Sequence, residues 1–349
     1  MKDSGNRWIG KIPESWDTKK LKYGFDIFSG STPDSGNADY WDGDIVWVTP
    51  ADYNTEGMTI NDSDKKLTKS GYNACGTKIT PPQSLIFSKR APVGKVAINN
   101  VSLCTNQGCF SCIPHEGIDS KFFYYVMSIS AEVFELVSSG STFKEISADA
   151  FKSVKLPEPS ISEQHAIAAY LDRKCGQIDD IIADLQRQIA CLESYKKSLI
   201  SEAVTKGLNP DVPMKDSGIE WIGQIPEHWE TRRLGYVANL QNGYVGPIAE
   251  VLVDEASGEM YIQSLHVKNG NIKFDGDFFV PSEWGKRHPK IHQGDLVIVQ
   301  TGDIGQIGLV TKEYDGKNCH ALIICHLNQN IIFPTFAKYY FLSNYGVSQ

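Results

Sequence analysis

At 349 residues the chain is longer than one average core and long enough for two domains, and its 41% hydrophobic and 11% aromatic residues are those of folded protein, not disordered chain. No apolar run approaches the roughly 18 residues that span a bilayer, and the start, MKDSGNRW, lacks the apolar core of a signal peptide, so a cytoplasmic protein is expected. A formal net charge of -8 argues against a protein coated with positive charge for non-specific nucleic-acid binding, while leaving room for a local basic groove.

The first feature in chain order is a phrase that occurs twice. Lys2 to Tyr23 and Lys215 to Tyr236 share 14 of 22 residues, including WIGKIPESW from Trp8 and WIGQIPEHW from Trp221. Similarity continues between PPQSLIFSKRAPVGKVAI from Pro81 and HQGDLVIVQTGDIGQIGLV from His292. It resumes between KFFYYVMS from Lys121 and FAKYYFLS from Phe336. The chain therefore reads as two copies of one domain with divergent middles. Trp8, Ile9, Ile12, Pro13 and Trp16 and their counterparts Trp221, Ile222, Ile225, Pro226 and Trp229 read as a packing staple at the start of each copy, in preference to a base-stacking set.

Within each copy, DIVWVTP, SLIFSKR, KVAINN, DLVIVQT and LIICHL are β-branched and aromatic runs of strand length bounded by turn residues. KFFYYVMSISAEVFELV, from Lys121, has helical spacing, so each copy is expected to be a mixed α/β (α+β) domain. Cys104, Cys109 and Cys112 follow a spacing that also opens a plant-type iron–sulfur site, but no fourth cysteine follows nearby. A separation of three puts Cys109 and Cys112 on opposite faces of a strand, so buried small hydrophobes are the preferred reading.

Between the copies, Ser162 to Lys206 predicts one long helix. Leu171, Ile178, Leu185, Leu192 and Leu199 recur every seven residues, with Cys175, Ile182, Ile189 and Ala203 four places after four of them, which is a coiled-coil seam. Ser160 with Glu163 supplies a capping box, and Lys206-Gly207 with Pro210 and Pro213 the stop; Gly176 is a candidate bend. A seam this long calls for a covering helix more than for packing on its own domains. A full duplication would place a second such helix after the second copy, and none follows. The expected organisation is a first domain over 1–157, the helix region over 158–208 and a second domain over 209–349, shortened at its C-terminal end.

The sequence holds no phosphate loop of the GxxxxGK[ST] type, no HExxH pair and no GxSxG turn, so no catalytic residue is assigned. The glycines of GDIGQIG lie between two apparent strands and read as turn glycines, and NDSD (Asn61 to Asp64) and the two DGD triplets as solvated turns. His288 and His292 are spaced for a metal on a helix, but Pro289 between them weakens that reading. No metal or cofactor is expected.

What recurs instead is polar loops whose side chains suit phosphates and base edges. In the first copy the candidates are Ser31, Thr32, Lys89, Arg90, Asn106, Gln107, Thr142 and Lys144, with Lys89 and Arg90 the sharpest because a guanidinium grips a guanine or a phosphate. In the second they are Tyr244, Gln263, His266, Lys268, Arg287, Gln300 and Thr301. The plain alternative for any one of these loops is a solvated surface.

The chain resembles the specificity (S) subunit of type I restriction-modification systems. The residues that carry the resemblance are W-IG-IPE-W at Trp8 and Trp221, SGSTP at Ser29, YWDGDIVWV at Tyr40, APVGKVAI at Ala91, NQG at Asn106 and GSTFKEIS at Gly140. The most specific are LPEPSISEQHAIAAYLDRKCGQIDDII at Leu156 and SLISEAVTKG at Ser198. The resemblance implies two target-recognition domains that each read half of a bipartite DNA site. It also implies long helices that space them and dock modification (methyltransferase) subunits, with restriction subunits joining the full complex and no active site in the chain itself. The expected partner-helix packing residues are Leu171, Ile178, Ile182, Leu185, Ile189, Leu192 and Leu199. Full-length members end in a second conserved helix, so an exposed seam that pairs with a second copy of this chain is a further expectation. The competing reading is a structural adaptor whose helix mediates assembly and whose globular parts bind protein.

Overall fold

A computed structural model describes residues 1–6, 8–53, 57–90, 92–139, 144–276 and 278–343. The chain divides into two compact units, Met1–Ile181 and Ile182–Gln349, and the boundary falls inside the long helix.

The first unit contains β1 (Asp17–Lys20), β2 (Phe25–Ser29), β3 (Trp41–Val48), β4 (Lys66–Leu67), β5 (Leu85–Ser88), β6 (Val96–Ile98), β7 (Cys104–Thr105), β8 (Cys109–Pro114) and β9 (Lys155–Glu158). Its helices of six or more residues are α1 (Ser120–Ile129), α2 (Ala131–Leu136), α3 (Ala148–Ser153) and the start of α4 (Ile161–Lys206). An antiparallel sheet runs in the order β2-β8-β5-β6, and a smaller sheet, β4-β3-β7, pairs β3 and β7 in parallel. Period-two alternation sends Leu85, Phe87, Phe110 and Cys112 to one core and Ile86 and Cys109 to another, so both faces of the larger sheet are covered. Cys109 and Cys112 thus lie on opposite faces, both fully buried, and burial pushes the Cys109 thiol up to about 12. The first core centres on rings: Phe151 lies 4.5 Å from Phe87 and stacks on Phe110 at 4.9 Å.

The helix expected from Lys121 to Val137 is broken at Ser130. Ser130 leaves helical geometry (φ -97, ψ 11) and its hydroxyl donates to the Val126 carbonyl at 2.5 Å, ending α1 there. Phe134 of α2 is thereby turned onto Phe87 at 4.7 Å.

The second unit repeats the plan with β10 (Ala238–Asn242), β11 (Glu259–Ile262), β12 (Phe279–Val280), β13 (Leu296–Val299), β14 (Ile307–Leu309), β15 (Asn318–Cys319), β16 (Leu322–Leu327) and α5 (Pro334–Leu342). The sheet orders are β10-β16-β13-β14 and β12-β11-β15, again with a parallel pair, β11 with β15. Register is preserved as well as order. Phe110 pairs Ser29 and Cys109 pairs Ser88 in the first unit; Ile323 pairs Asn242 and Leu322 pairs Val299 in the second.

Helix α4 is a single helix of 46 residues that runs through Gly176 without interruption. At its start, the Glu163 carboxylate accepts the Ser160 N–H at 3.2 Å and hydroxyl at 2.7 Å, and the Trp16 indole N–H at 3.2 Å. These bonds, Ser160 first, hold the Glu163 carboxyl below its usual range. Gln164, 1% exposed, donates to the Gly117 and Pro159 carbonyls and accepts the Asp119 N–H. In the second unit the helix ends on buried Ser201, Val204 and Thr205, and Gly207 at φ +77 caps it beside Trp229 and Pro226. The repeated tryptophan phrase therefore packs against the start of α4 in one unit and its end in the other.

Replacing Phe151 with Ala is expected to destabilise the first unit by about 3–5 kcal/mol, because one side chain joins three other rings in a fully buried core. Urea denaturation followed by far-UV circular dichroism measures it.

Candidate nucleic-acid interface

In the first unit the ends of β2, β3 and β5 meet the turn between β7 and β8. The Ser31 N–H donates to the Thr105 carbonyl at 3.1 Å, and the Trp47 indole donates to the Ser31 carbonyl at 3.0 Å. The Asn106 N–H donates to Val48 O at 2.9 Å, and its side-chain oxygen accepts the Gly108 N–H at 2.8 Å, fixing the turn. The Lys89 N–H bonds the Gly108 carbonyl at 3.0 Å, and the Thr32 hydroxyl donates to the Gln107 side-chain oxygen. Ser31, Thr32, Lys89, Arg90, Asn106 and Gln107, scattered over 77 positions of sequence (31 to 107), thus share one edge. Thr32 and Gln107 are exposed there, and Arg90 is 39% exposed.

The cations at this edge are not bare. Lys89 Nζ lies 2.8 Å from a Glu145 carboxylate oxygen and Arg90 3.8 Å from the other, while Lys144 pairs with Glu135 on α2 at 3.2 Å. Thr142 lies outside the described residues. Beside the edge, Thr49 after β3 opens a tight turn in which the Asp52 carboxylate accepts the Thr49 N–H and hydroxyl, both at 2.7 Å.

The second unit builds the same edge from other side chains. The Tyr244 N–H donates to Cys319 O at 3.1 Å, the place Ser31 takes against Thr105. Gln263 opens the turn that Thr49 opens in the first unit, and the Val299-to-Gly305 closure places Gln300 and Thr301 where Ser88-to-Gly94 places Lys89 and Arg90. Tyr244 packs edge-on to Trp284 and His288, at 5.0 and 4.8 Å, and those two rings stack at 3.8 Å. Tyr244 is legible in the sequence as a polar-loop candidate, but its ring group is not, because Trp284 lies 40 residues further along the chain.

His266 has a different role from the one its loop suggests. It is 2% exposed; its Nδ1 accepts the Gln263 N–H at 2.9 Å and its Nε2 donates to the Asp275 carbonyl at 2.9 Å, the part Asp52 plays in the first unit. Both ring nitrogens are engaged by backbone groups of the fold. Lys268 is exposed on a short strand beside Asn269, whose N–H bonds Gln306 at 3.0 Å. Arg287 is exposed on a turn that the buried Asn318 amide ties to β15 through the carbonyls of Gly285, His288 and Pro289. His288 stacks on Trp284 while His292 pairs with Asp315 at 3.3 Å, so the two do not converge. Among the described residues no group of three or more His, Cys, Asp or Glu is placed to hold a metal ion, and no helix is long and apolar enough to cross a membrane.

The seam of α4 stays open. Leu171 is half-buried, but Ile178, Ile182, Leu185, Ile189, Leu192 and Leu199 are each between 47% and 65% exposed.

Two sheets per unit, a shared register and a long helix between repeated phrases define a duplicated mixed α/β fold built around one helix. The sequence matches the family described as the type I restriction modification DNA specificity domain over residues 13–190, and the chain belongs to that family. It is 33% identical over 278 residues to the type I restriction enzyme MjaIX specificity subunit of Methanocaldococcus jannaschii, covering 77% of this chain and 62% of that one. It is 22% identical to the EcoBI specificity subunit of Escherichia coli, covering 67% and 51%. The chain thus spans less than two thirds of the length of these relatives. By structure it is similar to a chain from work on complex assembly and conformational transition of the type I R-M system, with TM-score 0.66, 15% identity and coverage of 95% and 80%. The HsdS subunit of Thermoanaerobacter tengcongensis gives TM-score 0.53, 15% identity and the same coverage.

Burial lowers the pKa of both His266 and His320. With native values below the unfolded value of about 6.5, the unfolded chain binds the extra protons, so the second unit loses stability as pH falls through about 6.5. Melting temperatures between pH 7.5 and 5.5 should show this decline, and His266→Gln should flatten it.

Proposed function

We propose that this chain is a non-catalytic, cytoplasmic DNA-recognition subunit of a type I restriction-modification enzyme. Each unit reads one half of a bipartite duplex target, and α4 sets their spacing and docks the modification subunits, with restriction subunits joining the full complex. The recognition domains are taken as 1–157 and 209–349, with the helix region at 158–208 between them. The observation that carries this reading is that two ladders matched residue for residue present different side chains at matched places. Ser31 answers to Tyr244, Thr49 to Gln263, Lys89 to Gln300 and Arg90 to Thr301. A constant frame with exchanged loops is what reading two different short sequences requires, and the exchanged types are those that bond base edges. Ser31, Thr32, Lys89, Arg90, Asn106, Gln107, Tyr244, Gln263, Gln300 and Thr301 are the proposed contacts at the two edges. Lys144, Lys268 and Arg287 are proposed as flanking phosphate contacts.

The test is retention of duplex DNA by the chain together with its modification subunits, after methylome sequencing of a host carrying the complete system has given the target. Preference for a bipartite sequence is expected, and equal binding of all duplexes at moderate salt sinks the reading. Arg90→Ala should cost about 10- to 100-fold against the correct base pair in one half-site, and Gln300→Ala a similar factor in the other.

The open seam gives a separate expectation. Leu185→Glu with Leu192→Glu should leave circular dichroism and melting temperature within experimental error of the parent, since both side chains are exposed. The same pair should abolish co-purification with the modification subunits.

A further inference from the structure

Glu145 is held more firmly than a surface carboxylate needs to be. Its N–H and C=O exchange bonds of 3.0 Å with the backbone of Ser139, and the next residue, Ile146, donates its N–H to the Lys89 carbonyl at 3.1 Å. The backbone thus sets Glu145 opposite Arg90 as an isolated antiparallel bridge. Ile146 is fully buried in the first core, which fixes the segment from below. From this position one carboxylate reaches two cations. Lys89, 15% exposed, is committed twice, to Glu145 at 2.8 Å and to the face of Phe110 at 5.3 Å, whereas Arg90 is held only at 3.8 Å. The Arg90 pair, at 3.8 Å with its side chains 39% and 41% exposed, stabilises little, so stability alone does not account for a carboxylate shared with it.

Resting on the proposed reading of this edge, we infer that Glu145 is a positioning residue that sets sequence discrimination by denying Lys89 and Arg90 to phosphate. Two cations and one fixed acid leave a single net positive charge. A phosphate oxygen that approaches Arg90 meets the Glu145 carboxylate at close range and is repelled. The edge of a guanine is uncharged, and its N7 and O6 accept both guanidinium donors without that repulsion. Arg90 is therefore biased towards a base edge, and Lys89, tied to the same carboxylate, is kept from phosphate in the same way. The second unit has neutral Gln300 and Thr301 at the matched positions, where there is no cation to restrain.

The experiment compares parent, Glu145→Gln and Glu145→Asp in the assembled complex, measuring affinity for the target duplex and for an unrelated duplex over a salt series. For Glu145→Gln, the slope of log affinity against log salt on unrelated DNA should steepen by about 0.9, one added phosphate contact. Its preference for target over unrelated duplex should fall about tenfold, while Glu145→Asp, which keeps the charge, should stay near the parent in both. An unchanged slope and preference in Glu145→Gln overturns the inference. So does an even loss on both duplexes with a lowered melting temperature in both variants, which marks a purely structural residue. Absence of any preference in the parent complex is a different result and overturns the underlying reading of the edge instead.

Discussion

Everything gathered at the two edges depends on a close crossing of backbones. A Cβ on Gly30 would stand 1.8 Å from the Thr105 carbonyl oxygen, a distance no side chain tolerates. The second unit repeats the crossing at Gly243, where a Cβ would meet the Cys319 sulfur at 2.6 Å and its carbonyl oxygen at 2.8 Å. Neither glycine has a positive φ, so space and not backbone freedom is what requires glycine there. Because the residue that follows β2 is pressed against the end of β7, the larger and smaller sheets are locked together at one end. The segments leaving both then have to emerge side by side. Ser31 meets Thr105 and Thr32 meets Gln107 for that reason alone, and Tyr244 is brought beside Cys319 in the same way.

The edges also show how an acidic protein keeps cations without becoming indiscriminately sticky. Lys89, Arg90 and Lys144 each face a carboxylate, from Glu145 or Glu135, and Lys121 bonds Asp172 at 2.6 Å at the foot of α4. Net charge around Lys89 and Arg90 is thus low. The second unit reaches the same end differently: its matched turn carries amide and hydroxyl groups, and its neighbouring surface is the Tyr244, Trp284 and His288 ring group. At these matched turns the divergence between the copies is chemical.

Much of the frame was legible in the sequence because its signals are local. The tryptophan phrase announced the duplication, the β-branched runs marked β3, β5, β6, β13 and β16, and the heptad of leucine and isoleucine gave α4 to within one residue. The candidate edge was legible in part. Residues such as Lys89 and Asn106 stood out by type, but their meeting depends on a register that no local pattern encodes. Three features were hidden for identifiable reasons. The break at Ser130 follows from one side-chain hydrogen bond that competes with the helix. The burial of His266 follows from its taking the place Asp52 holds in the other copy, a substitution of carboxylate by imidazole with the same acceptor geometry. Glu145 acquires its position only through pairing with Ser139 and Arg90, six residues away and fifty-five residues away.

The half-bare stripe along α4 bears on how the chain fares outside an assembly. Six exposed isoleucine and leucine side chains of one helix are the kind of surface that quality-control proteases and chaperones bind. A copy made in excess of whatever shields that face is marked for removal by its own chemistry, and a shielded copy is not.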